Sequence, residues 1–136
     1  MRYPVNLSKA DEGGFFVEFP DIPEALTQGN TKDEALENAR DALVTALEFY
    51  FEDGDKIPEP SISTGDYVDL PLSVEAKVIL LNAFLESRIS QTDLAARMNV
   101  KKQEVTRLFD LRHSTKIDTI QKAINSLGHR MELKYV

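Results

Sequence analysis

"QTDLAARMNVKKQEVTRLF", Gln91 to Phe109, holds two short apolar-faced segments on either side of a single asparagine. Leu94, Ala95 and Met98 recur at helical spacing before Asn99, and Val105 and Leu108 recur after it. Ser90 with Asp93 forms an S-x-x-D capping signature ahead of the first segment. Two helices that cross steeply need a small residue where they touch, and Ala95 stands there. The turn needs a residue that tolerates the left-handed region, and asparagine ranks next to glycine for it. The stretch therefore predicts a helix, a tight turn and a second helix, with Val100, Val105 and Leu108 seating the second helix on a core.

The residues left outward are Lys101, Lys102, Gln103, Thr106 and Arg107. Gln forms a bidentate pair with adenine, and Arg or Lys reads guanine, in a groove wide enough for a helix. Gln91, at the start of the first helix, is placed to meet a phosphate together with backbone N–H groups. Thr115 and Lys116 open the next helix and are placed to do the same. A basic outer face also occurs on a merely solvated helical hairpin, and short patterns of this kind have many false positives. Core, turn and outward positions agree here, so double-stranded DNA is the expected ligand. A lone helix-turn-helix reads few base pairs and usually dimerises across a two-fold axis.

The charge at first opposes that reading. The chain carries a formal net charge of -7, whereas DNA binding rests on neutralising phosphates. The mean hides a split. Up to Leu70 there are 5 Lys and Arg against 16 Asp and Glu, a net of -11; from Pro71 onward there are 11 against 7, a net of +4. Such asymmetry suggests different partners for residues 1–70 and 71–136. The plainer alternative is that the acidic half only aids solubility.

The rest of 71–136 is mostly helical by pattern. Ser73 opens a helix with Val78, Leu81, Phe84 and Leu85 inward. Ile117, Ile120, Ile124 and Leu127 face inward on a last helix that Gly128 ends. "RMELKYV", Arg130 to Val136, alternates like a strand with Met131, Leu133 and Tyr135 on one face. That strand has nothing in its own half to pair with, and unpaired strands are a liability. It is expected to pair with its copy in a second chain or to dock on the first half, and it is the candidate dimer contact.

In residues 1–70 the period is different. Tyr3, Val5 and Leu7 alternate, "KADEGG" is a turn, and "FFVEFP" closes a hairpin. A short third strand is expected around Ala25–Gln28. Thr31 and Glu34 form a capping box. Behind it Leu36, Ala39, Leu43, Ala46 or Leu47, and Tyr50 mark one face of a helix running to about Asp53, stopped by Gly54. "GDKIPEPSISTGD" is a loop and "YVDLPL" a further strand. The fold class is α+β: a small antiparallel sheet with one helix, followed by an all-α helix-turn-helix domain with a terminal strand.

Other classes of function find little support. With 42% hydrophobic residues a packed core is expected, and with no cysteine there is no disulfide or thiolate chemistry. The longest apolar run, Val78–Leu85, is too short to span a bilayer, and the N-terminus lacks a signal-peptide core. A cytoplasmic protein without a membrane partner is expected. His113 and His129 have no metal spacing, and the acids of the first half do not fall on adjacent strands as a two-metal site requires. No catalytic residue, metal or cofactor is expected.

"EGGFFVEFPDIPEALTQGNTKDEALENARDAL", Glu12 to Leu43, and "FYFEDGDKIPEP", Phe49 to Pro60, together with the helix-turn-helix, resemble the HicB-type antitoxins over essentially the whole chain. The likeness is closest to members that end in a helix-turn-helix rather than a ribbon-helix-helix. Glu24 departs from the pattern, since many members have glycine there, which alters the local turn. The resemblance implies a partner, a small basic HicA-type toxin that cleaves mRNA with a histidine. It implies a truncated ribonuclease-H-like first half that covers the toxin without catalysis. It also implies a second half that represses the operon by binding operator DNA, within a homodimer or homotetramer. The acidic half would then meet a basic protein, with opposite charge steering the encounter. Asp11, Glu12, Glu18, Asp21 and Glu24 are the candidate toxin contacts, and the linker near Pro71–Ser73 would keep the acidic lobe away from phosphate. Two alternatives are a stand-alone repressor with a ligand-sensing first half and a nuclease with a helix-turn-helix for targeting.

Overall fold

Alternation at the N-terminus produces two strands where one was expected: β1 (Arg2–Pro4) and β2 (Asn6–Lys9). Val5 lies between them, and its N–H donates to the Asp66 carbonyl at 3.0 Å. β1 pairs antiparallel with β5 (Tyr67–Asp69), Tyr3 opposite Val68. β2 pairs antiparallel with β3 (Phe15–Glu18), and β3 with β4 (Leu26–Gly29). The computed structural model describes all 136 residues, which divide into two compact units: residues 1–50 with 58–71, and residues 51–57 with 72–136. The fold is α+β, with a small antiparallel sheet and a helix near the N-terminus and helices toward the C-terminus.

α1 (Lys32–Asp53), which lies in the first unit up to Tyr50, begins where Thr31 Oγ1 accepts from the Glu34 N–H at 3.1 Å. Ala35, Ala39, Leu43, Ala46 and Leu47 are buried, so the inward face sits one residue before the expected Leu36 at its start. Gly29 explains the shift. A Cβ there would lie 2.4 Å from the Ala35 nitrogen, so the start of α1 presses on the backbone of β4. Tyr3 is fully buried, and its hydroxyl donates to the Pro58 carbonyl at 2.7 Å. Burying a side chain such as Leu43 or Leu47 contributes about 1.5–3 kcal/mol each.

The second unit packs α2 (Leu72–Ser87), α3 (Gln91–Met98), α4 (Lys102–Leu108) and α5 (Ile117–Ser126) around Leu80, Leu94, Met98, Val105, Leu108 and Ile124. The rings of Phe84 and Phe109 lie 4.8 Å apart at its margin. α2 buries Val74, Ala76, Leu80 and Leu81 on several sides, a broader apolar surface than the expected stripe. It also buries Lys77, which is only 3% exposed. Ile120 and Ile124 on α5, and Leu127 at its C-cap, point inward, but Ile117 is 54% exposed. Ile117 is the first residue of α5, where the helix has not yet turned onto the core.

The terminal strand expected over Met131–Val136 is absent: these residues form no strand in the single chain. A strand exists only with a partner for its N–H and C=O groups, and the second unit contains none. Leu133, Tyr135 and Val136 are left exposed. No helix is long and apolar enough to cross a membrane.

Candidate functional sites

The geometry from Ser90 to Phe109 follows from a few local bonds. Ser90 Oγ accepts from the Asp93 N–H at 3.0 Å, and the Asp93 carboxylate accepts from the Ser90 N–H at 3.2 Å. The Ser90 N–H, and after it the Ser90 hydroxyl beside the carboxylate, hold the Asp93 carboxyl below its ordinary value. Asn99 ends α3 in the left-handed region at φ 56 and ψ 47. The chain then turns back so that the Val100 N–H donates to the Ala95 carbonyl at 3.0 Å. Ala95, Val105 and Leu108 are buried at the crossing.

This turn sends one face of α4 to solvent. Lys101, Lys102, Gln103, Thr106 and Arg107 are all exposed, with Glu104 the one acid among residues 101–107. Gln91 and Thr106 are brought together, the Thr106 hydroxyl reaching Gln91 Oε1 at 3.5 Å and the Lys102 carbonyl at 3.2 Å. Lys116 stands at the N-cap of α5 in extended conformation with no side-chain cap, and it is exposed. Thr115 is half-buried, and its Oγ1 is covered from solvent with no hydrogen-bond partner.

The five acids of the first unit have different surroundings. Asp11 and Glu12 stand exposed at the hairpin tip, closed by the Ala10 N–H to Gly14 carbonyl bond. Glu18 is exposed on β3, opposite Leu26. Asp21 accepts from both the backbone N–H and the hydroxyl of Ser61, so its carboxylate staples a loop. Glu24 accepts from the Tyr50 hydroxyl at 2.8 Å. No three His, Cys, Asp or Glu side chains converge in a group able to hold a metal ion.

Sequence reasoning missed an apolar feature among these acids. Phe16, Leu26 and Phe49 are 49%, 65% and 60% exposed. Phe16 and Leu26 share one shallow groove with Glu18, and Leu26 and Phe49 share a second with Glu24 and Asp41. Part of the signal was in "FFVEFP": Val17 and Phe19 are buried, so period two puts Phe16 on the opposite face. Leu26 and Phe49 reach the same surface only through the β3–β4 register and the rotation of α1, and no local pattern reveals that.

Similarity to known proteins extends over both halves of the chain. Residues 2–79 match the HicB-like antitoxins of bacterial toxin–antitoxin systems. The chain is 65% identical to the protein named Antitoxin HicB 1 of Photorhabdus laumondii, over 98% of this chain and 86% of that one. It is 56% identical to Antitoxin HicB of Escherichia coli K12 over the full length of both. Antitoxin HicB of Pseudomonas fluorescens is 37% identical over 90% of this chain and 86% of its own.

Proposed function

Because the chain belongs to the HicB-like antitoxin family, we propose that it binds and neutralises a small basic HicA-type toxin and represses its own operon. Residues 1–70 carry the first activity and residues 71–136 the second. Its action on the toxin is stoichiometric cover, not catalysis. The observation that carries the operator reading is the left-handed Asn99 turn, which leaves Lys101, Lys102, Gln103, Thr106 and Arg107 together on one exposed face. Gln103 and Arg107 read base edges, while Lys116 meets a phosphate.

For the toxin, Phe16, Leu26 and Phe49 supply apolar anchors, and Glu18, Asp11 and Glu12 a charged rim. Protein interfaces commonly combine an apolar centre with a polar rim. Asp21 and Glu24 serve mainly to shape this surface, since their carboxylates are already engaged with Ser61 and Tyr50. The working form is a homodimer or homotetramer, in which the exposed Leu133 and Tyr135 of each tail gain a partner strand.

The test is to purify the tagged chain from its own host at low and high salt, and to identify what is retained. A small basic protein that cleaves RNA when freed, and stops when the chain is added back, supports the toxin reading. No protein partner at either salt refutes it and favours a stand-alone repressor. The same preparation, mixed with the DNA just upstream of its gene, should shift that duplex in preference to a scrambled one.

A further inference from the structure

Lys77 is the one charged residue buried in the chain, on an otherwise apolar stretch of α2. Its ammonium donates to three backbone carbonyls: Arg107 at 3.1 Å, Asp110 at 2.8 Å and His113 at 2.6 Å. An ammonium has three protons, and each has an acceptor here. Burial pushes the Lys77 pKa down, and the Asp110 carboxylate partly opposes that. A buried charge is costly unless fully paired. A leucine or methionine would fill this part of α2 without that cost, so the three carbonyls are what the lysine is suited to.

The position of those carbonyls matters. Arg107 lies in the last turn of α4, whose final carbonyls have no partner within the helix. Asp110 and His113 lie in the turn that follows, His113 two residues before Thr115. One nitrogen thus ties the end of the exposed α4 face to the segment that leads into Thr115 and Lys116.

We propose that Lys77 is a positioning residue for operator recognition, fixing the register between the base-reading face of α4 and the phosphate-contacting corner at Thr115–Lys116. This role rests on the operator-binding reading. It predicts an effect on discrimination more than on attraction. Bidentate base contacts depend on close geometry. Phosphate attraction is long-ranged and tolerates displacement.

The experiment uses the full chain, a duplex spanning the DNA upstream of its gene, and a scrambled duplex of the same length. Lys77→Met is compared with the unaltered chain and with Ile124→Val, a core substitution in the same unit that touches none of the three carbonyls. Loosened geometry should cost Lys77→Met about tenfold or more on the upstream duplex and less than about threefold on the scrambled one. Amide exchange should quicken at residues 110–116 in Lys77→Met only. Equal losses on both duplexes, or the same pattern from Ile124→Val at matched melting temperature, would reduce Lys77 to a stabilising residue and overturn the role. If Lys77→Met does not fold, Lys77→Gln, which keeps a two-proton donor, takes its place under the same criteria. Failure of the unaltered chain to prefer the upstream duplex overturns the operator reading itself, and is seen before any substitution is made.

Discussion

Replacing Gly29 by alanine adds one methyl group at the place where β4 meets α1. The new Cβ would lie 2.4 Å from the Ala35 nitrogen, 2.6 Å from Ala35 Cα and 2.9 Å from the Glu34 carbonyl carbon. All three are backbone atoms, so no side chain can rotate away, and the first turn of α1 must move. Overpacking of this kind costs roughly 1–3 kcal/mol, and a backbone clash belongs at the upper end, about 3 kcal/mol. Alanine also narrows the unfolded ensemble, which returns about 0.4–1 kcal/mol. The net loss expected is about 2 kcal/mol, or a fall of about 10 °C in the melting temperature of a unit this size. Gly54→Ala provides the contrast. Gly54 has φ +67 and nothing within 4 Å of an added Cβ, so only left-handed strain is introduced. That strain is about 1–2 kcal/mol before the same entropic return, leaving about 0–1.6 kcal/mol. Urea and thermal unfolding of the two variants beside the parent chain measures both. A Gly29→Ala protein that melts with or above Gly54→Ala would refute the close packing of α1 on β4.

Asn99→Ala keeps φ 56 in a residue that resists it, and should lose about 1–2 kcal/mol in urea unfolding, whereas Asn99→Gly should lose little. Asp93 in the folded chain titrates below its ordinary 3.8, chiefly through the Ser90 N–H, so its contribution is complete above that value and lost as pH falls through the lower folded value. Asp93→Asn should therefore trail the parent in stability near neutral pH and converge with it in acid, and a gap that stays constant with pH would contradict the capping box. Gln103→Ala should cost about 1–3 kcal/mol on the operator and relax base preference at one position, while Lys116→Ala should weaken all duplexes and flatten the salt slope by about one. Equal effects of Gln103→Ala on operator and random DNA would argue against direct readout. Leu133→Asp with Tyr135→Asp should lower the mass measured by light scattering to that of a smaller assembly, and an unchanged mass would remove the tail from the oligomer contact.

Local chemistry let the sequence alone determine a good deal of this protein. The Ser90–Asp93 box, the left-handed Asn99 and the buried Val105 and Leu108 are written in residues at most a few positions apart, because caps, turns and helical faces are short-range. The same holds for the exposed row Lys101, Lys102, Gln103, Thr106 and Arg107, which is what remains when the inward positions of α4 are assigned. Tertiary structure decided whatever depends on residues distant in the chain. Lys77 reads as an ordinary surface lysine on α2 until Arg107, Asp110 and His113, 30 to 36 residues later, bring their carbonyls to it. Asp21 and Glu24 look like two more members of an acidic surface until Ser61 and Tyr50 engage them. Phe16, Leu26 and Phe49 become one surface only when strand register and helix rotation are set. The tail shows the reverse limit. Its alternating residues predict a strand, but alternation specifies a face and not a partner, and one chain does not supply the second strand.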